Sequence, residues 1–121
     1  MTDPGSLVQS EVENGRIVIQ LRGEIDLSNV EGLEAQIDHA IADAQDVILD
    51  LTAIEFIDSR GLRLLKRVST TVAGRNGTLV VVAPPNTVVR SVLDMTHMSD
   101  ELPVRDTFQS PDEPLSEGPS L

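Results

Sequence analysis

Apolar and polar positions along this chain change period several times, and each change marks an element. Residues 7–12 and 16–21 alternate as half-buried strands do, and Asn14 with Gly15 between them is a hairpin-turn pair. Then the period lengthens. Val30, Leu33, Ile37, Ala40 and Ile41 share one helical face, with Ser28 and Glu31 spaced as a capping box at its start. Residues 47–56, VILDLTAIEF, return to the apolar, β-branched composition of a buried strand. After Ser59 the helical period resumes, with Leu62, Leu65, Val68 and Val72 on one face and Arg60, Arg63 and Arg67 nearly opposite. Gly74 and Gly77 close that helix, and 78–83 is a short, fully apolar strand. Pro84, Pro85 and Asn86 break the chain before a helix over 87–95, and 102–105 ends the series as an edge strand.

Strands alternating with helices predict an α/β fold in a single domain. Right-handed crossovers make it a mixed, mostly parallel sheet of about five strands with an antiparallel first hairpin. These elements occupy residues 1–107. From residue 108 the composition shifts: QSPDEPLSEGPSL holds three prolines, three serines and three acids, so 108–121 reads as an acidic, disordered tail.

Composition narrows the function. A chain of 121 residues can bury one core, and with only two aromatics, Phe56 and Phe108, that core is aliphatic. The absence of cysteine excludes disulfides and thiolate metal sites. A net charge of −11 opposes phosphate backbones, and the near-absence of aromatics removes stacking platforms, so nucleic acid is not expected as a direct partner. MTDPGSLV lacks the basic and apolar regions of a signal peptide, and the longest apolar run, 79–83, is too short to span a bilayer. A cytoplasmic protein without membrane contact is the expectation. Four of the nine basic residues, Arg60, Arg63, Lys66 and Arg67, fall within eight positions after Ser59, a pattern that ordinarily marks a solvated helix face.

The chemistry of interest lies at 54–65, IEFIDSRGLRLL, where a hydroxyl stands at a strand-to-helix junction between a carboxylate and a glycine. The simplest role for Ser59 is an N-cap, its side-chain oxygen accepting from free N–H groups of the helix. A hydrolase nucleophile would need a nearby base, with only His39 and His97 available, and Ile57 stands where a nucleophile elbow requires glycine. Phosphorylation on aspartate is a further rival, with Asp50 ending VILDL and Glu24 with Asp26 as an acidic pair. The lysine that chemistry needs at the end of a late strand is missing, since the sole lysine, Lys66, lies within a helix. Neither GxxxxGK[ST] nor GxGxxG occurs, and no cofactor or metal is expected.

Asp58, Ser59, Gly61 and Leu62 match, position for position, the strand-end signature apolar-Asp-Ser-x-Gly-Leu of the STAS domain family, which this segment resembles. LRGEID at 21–26 is similar to the family's Gly-Glu-apolar-Asp before the first helix, and 89–107 resembles its last helix, turn and strand. Two departures stand out. The family usually finishes with a helix packed on the sheet, which Pro111 and Pro114 oppose, and it leads one to expect glycine at His97, where φ is often positive.

The resemblance implies an anti-sigma factor antagonist and not an enzyme. Unphosphorylated, it would bind an anti-sigma factor that is a serine kinase and so free a sigma factor. That kinase would phosphorylate Ser59 and a serine phosphatase would reset the switch. The expected contact surface is Gly23, Glu24, Asp26, Ser28, Phe56, Asp58, Ser59, Arg60 and Gly61, with Asp26 and Asp58 positioning the hydroxyl or touching the partner. Arg63 and Lys66, at i+4 and i+7 from Ser59, are candidates to clamp the phosphate. The alternative is a STAS scaffold or ligand-sensing module whose Ser59 is never modified.

Overall fold

The computed structural model describes residues 6–12 and 15–107. Asn14 of the expected hairpin turn, and the segment 108–121 read as a tail, lie outside the described residues. The elements are β1 (Ser6–Val12), β2 (Arg16–Ile25), α1 (Val30–Ile41), β3 (Asp46–Ile57), α2 (Ser59–Gly74), β4 (Thr78–Val82), α3 (Val88–Met95), a 3-10 turn at Met98–Asp100, and β5 (Val104–Arg105). Their order is the one the periodicity predicts.

The five strands lie side by side in sequence order, β1 and β2 antiparallel and every later pair parallel. Because each crossover steps in the same direction and is right-handed, α1, α2 and α3 all fall on one face of the sheet. The main core forms there, from Ile19, Leu21, Leu49 and Leu51 beneath Ile37, Leu65, Val68 and Leu93, all fully buried. Each such aliphatic side chain contributes about 1.5–3 kcal/mol by leaving water. On the opposite face Ile48, Val80 and Val82 form a smaller cluster with Val18 against it. A strand apolar on both faces explains why β4, TLVVV, does not alternate.

Three boundaries differ from the sequence-based expectation. β2 continues to Ile25, because Gly23 takes φ +81° at a register shift and lets the strand stay paired with β3. β3 continues to Ile57, but only Asp46–Asp50 pairs with β4, so its C-terminal half runs on beside β2 with α3 packed against it. The last strand is only Val104–Arg105, since Leu102 is taken by the preceding turn, its N–H donating to Met98 O.

The buried face of α2 is also rotated from expectation. Gly61, Leu64, Leu65, Val68 and Val72 are buried and Leu62 only partly so. Gly61 sets that rotation: a Cβ there would lie 2.5 Å from Ile57 Cγ1 and 2.9 Å from Ile25 Cγ2, so the helix start sits directly on the strand ends. At its other end Asn76 N–H donates to Ala73 O and Gly77 N–H to Val72 O, a Schellman closure with Asn76 at φ +61°. Gly77 cannot be replaced there, because a Cβ would meet Gln45 O at 2.1 Å.

Candidate functional site

Ser59 occupies the first helical position of α2 and is exposed. The N-cap is Asp58, not the serine. Asp58 is extended (φ −105°, ψ −173°), and its Oδ1 accepts from the N–H groups of Arg60 at 2.9 Å and Gly61 at 3.1 Å. A capping residue must keep non-helical dihedrals. β3 delivers Asp58 in that state, its own N–H donating to Ile25 O at 3.1 Å, whereas Ser59 has already turned into the helix. The Ser59 hydroxyl is therefore spared from capping, and among the described residues it has no hydrogen-bond partner.

The second wall is the loop between β2 and α1, which the structure ties to the first. Asp58 Oδ2 accepts from the Leu27 N–H at 3.2 Å, so one carboxylate holds both segments. Asp26 turns inward on its own loop, its Oδ1 accepting from Ser28 N–H at 2.9 Å and Ser28 Oγ–H at 2.5 Å. These bonds, the hydroxyl's first, hold the Asp26 carboxyl below its ordinary value. Neither Asp26 nor Asp58 is hydrogen-bonded to the Ser59 hydroxyl; both shape the backbone around it. The capping box expected at Ser28 and Glu31 does not form, since the residue before α1 is Asn29, which makes no side-chain cap. Its amide instead spans the loop, Nδ2 donating to Glu24 O at 2.7 Å and Oδ1 accepting from Asp26 N–H at 3.0 Å.

The remaining predicted residues separate by exposure. Gly23 and Gly61 are buried and serve the backbone, while Ser28, Ser59 and Arg60 are exposed and Glu24 is half-buried. Phe56, paired with Glu24 across the strands, leaves 46% of its surface in solvent, and Leu27 leaves 63%. Sequence reasoning placed Leu27 within the contact loop 23–28 without singling it out, and missed Asn29. A leucine between Asp26 and Ser28 in a polar turn was the available signal for the first, and a cap-type residue directly before the apolar period for the second.

The basic run does not form one solvated face. Arg67 reaches α1, paired with Glu34 and, at 2.7 Å, with Asp38, and both partners raise its pKa, the Asp38 hydrogen bond most. Lys66 lies 3.0 Å from Glu101. Arg60 and Arg63 are exposed and have no ion-pair partner among the described residues.

The rival chemistries find no geometry. His39 lines an open cavity of about 270 Å³ with Gly15, Arg16 and Asp43, at the end of the sheet where Arg16 pairs with Asp46, opposite to Ser59. His97 lies 3.7 Å from Asp100 and is not bonded to Ser59. Asp50 is not at a strand end as the sequence reading held. It lies within β3, pairs with Gln20, and accepts from Thr52 N–H at 3.0 Å and Thr52 Oγ–H at 2.6 Å. Glu24 pairs with Phe56, six residues further along β3, so the three acids do not converge. Among the described residues no cluster of His, Asp or Glu could hold a metal ion, and no helix is long and apolar enough to cross a membrane.

A one-sided helical layer over a sheet in sequence order, with Asp58 and Ser59 at the junction of β3 and α2, defines the class. The chain belongs to the STAS domain family, whose model matches residues 8–111. An anti-sigma-F factor antagonist RsfB of Mycobacterium tuberculosis is 37% identical over 71 residues, covering 57% of this chain and 58% of that protein. The anti-sigma F factor antagonist of Paenibacillus polymyxa is 28% identical over 103 residues, 82% of this chain and 86% of the relative. The crystal structure of an anti-sigma factor antagonist from Mycobacterium paratuberculosis superposes with a TM-score of 0.76 at 26% identity, covering 88% of this chain and 92% of the other.

Proposed function

We propose that this protein is an anti-sigma factor antagonist, a binding module and kinase substrate with no catalytic machinery of its own. Unphosphorylated, it docks on an anti-sigma factor through the edge formed by Glu24, Leu27, Ser28, Phe56, Ser59 and Arg60, and so releases a sigma factor. The anti-sigma factor is itself a serine kinase. The Ser59 oxygen attacks the γ-phosphorus of its ATP, the new O–P bond forms as the bond to ADP breaks, and the hydroxyl proton passes to a base that the kinase supplies. A serine phosphatase later hydrolyses the ester. The working place is the cytoplasm.

The carrying observation is the division of labour between two adjacent residues. Asp58 satisfies the helix start, which leaves the Ser59 hydroxyl exposed and, among the described residues, without a partner, as suits a phosphoacceptor. A phosphoserine adds about −1.5 to −2 charges. Against a partner carboxylate ~6 Å away that is worth roughly 1 to 6 kcal/mol between the limits of water and an effective dielectric of 20. Incubation with the cognate kinase and ATP is expected to place one phosphate, on Ser59. By calorimetry Ser59→Asp should lose roughly ten-fold or more in affinity for the anti-sigma factor while Ser59→Ala still binds. Label on Ser69, Thr70 or Thr71, or equal affinity of wild type and Ser59→Asp, would instead favour a scaffold whose serine is never switched.

A further inference from the structure

Among the described residues, Asp58 is the one side chain hydrogen-bonded to both walls of the site. Its Oδ1 holds the Arg60 and Gly61 amides at the start of α2, and its Oδ2 holds the Leu27 amide in the loop between β2 and α1. Leu27 carries an apolar side chain 63% exposed, one of four large apolar side chains left in solvent among the described residues.

Building on the reading of Ser59 as a phosphoacceptor, we propose that Asp58 is a positioning residue that relays the modification to Leu27. A phosphoryl group on Ser59 displaces Asp58 from the helix start and thereby unpins Leu27 from the docking edge. The reason is competition for the same donors. The first turn of α2 offers the N–H groups of Ser59, Arg60 and Gly61, because Leu62 N–H already donates to Asp58 O. A dianionic group attached to the first helical residue brings three acceptor oxygens to those donors, where the helix dipole favours an anion. It also stands beside the Asp58 carboxylate as a like charge. Asp58 is only half-buried and can swing toward solvent. When it does, the Leu27 N–H loses its acceptor, and the side-chain bonds left to the loop, from Asn29 to Glu24 O and the Asp26 N–H and from Asp26 to Ser28, are all internal to residues 24–29 and do not reach α2. Phosphorylation then removes an apolar contact in addition to adding charge.

The test needs no kinase. Phosphoserine is installed at position 59 of the full chain by genetic encoding, and ¹H–¹⁵N spectra are compared for wild type, phosphorylated protein and Asp58→Asn. Asparagine keeps one carbonyl oxygen for the Arg60 and Gly61 amides but offers Leu27 no second acceptor. The relay predicts that the Leu27 amide proton moves upfield in both altered proteins and to a similar position, with no further displacement when the two changes are combined. A second measurement guards against a misfolded variant: the amide shifts of Leu49 and Val81, deep in the sheet, should stay in place. If phosphoserine leaves the Leu27 amide unmoved, the relay is wrong, even where phosphorylation abolishes partner binding. Failure of the proposed function has a different signature, namely unchanged anti-sigma factor affinity with the Leu27 amide displaced.

Discussion

At the scale of single residues, adjacent groups of similar chemistry divide the work. Among the described residues, Asp58 caps while Ser59 has no partner, and Arg67 is fixed to α1 while Arg63 has no ion pair. Arg63, one turn after Ser59 and without an ion pair, is the better phosphate clamp of the two candidates, because Lys66 is already beside Glu101. In a double-mutant cycle combining phosphoserine at 59 with Arg63→Ala, thermal unfolding should give a coupling of about 1–3 kcal/mol, as charge-assisted hydrogen bonds do. A coupling within error of zero returns Arg63 to the solvated surface. Asp26 supplies a second prediction. Its pKa is lowered in the folded protein by the Ser28 hydroxyl and amide, so its contribution is present above the ordinary value of 3.8 and is lost as pH falls through the lower folded value. In an NMR titration the Ser28 amide should therefore move with a midpoint below 3.8, and a midpoint at or above it would contradict the hydrogen-bonded loop. Asp58 and Ser59 were both legible in the sequence as residues of the strand-to-helix junction, but which of them caps the helix was not. Only the dihedrals at the junction decide which of two capping-type residues faces the free amides.

At the scale of elements, two of the three α-helices, α2 and α3, are followed by left-handed residues other than glycine. Asn76 ends α2 at φ +61°, a conformation asparagine tolerates, while His97 follows α3 at φ +62°. His97 confirms the sequence-based expectation of a position suited to glycine. Its pairing with Asp100 at 3.7 Å, between side chains 82% and 79% exposed, offsets little of the backbone strain. His97→Gly relieves about 1–2 kcal/mol of left-handed strain against about 0.5–1 kcal/mol of added chain entropy in the unfolded state. A net gain near 0.5–1 kcal/mol is expected from chemical denaturation, and a loss would mean that His97 makes an interaction of its own worth more than the strain. β2 outruns the expected 16–21 for a related reason: a glycine at 23 looks like a break in a linear pattern, yet β2 pairs with β3 past it, while β3 exceeds the expected 47–56 by only one residue at each end.

At the scale of the whole molecule, the layout follows from one rule applied repeatedly. Uniform right-handed crossovers put the three helices on one face and bring the β2–α1 and β3–α2 junctions to the same edge of the sheet, which is why residues 26–28 and 58–61 meet. The net charge of −11 acts on the same scale. Self-repulsion of a like-charged compact chain destabilises it, and salt screens that repulsion over about 8 Å at 0.15 M. The described ion pairs lie at the surface and have little to lose. The midpoint of thermal unfolding should therefore rise between about 10 mM and 0.15 M sodium chloride. A fall would mean that attractive pairs outweigh the net repulsion.

The sequence by itself determined the element order, the parallel layer, the aliphatic core and the junction that carries Ser59. Each of these rests on side-chain period and composition, which are local. Tertiary structure decided the rest: Asp58 as the cap, Asn29 as a pin of the loop, Gly61 as the residue that rotates α2 onto Leu64, and Leu27 as an exposed residue tied to Asp58. Those roles depend on where a backbone amide points or how closely a helix sits on a strand. Segments thirty residues apart fix both, and no window along the chain contains them together.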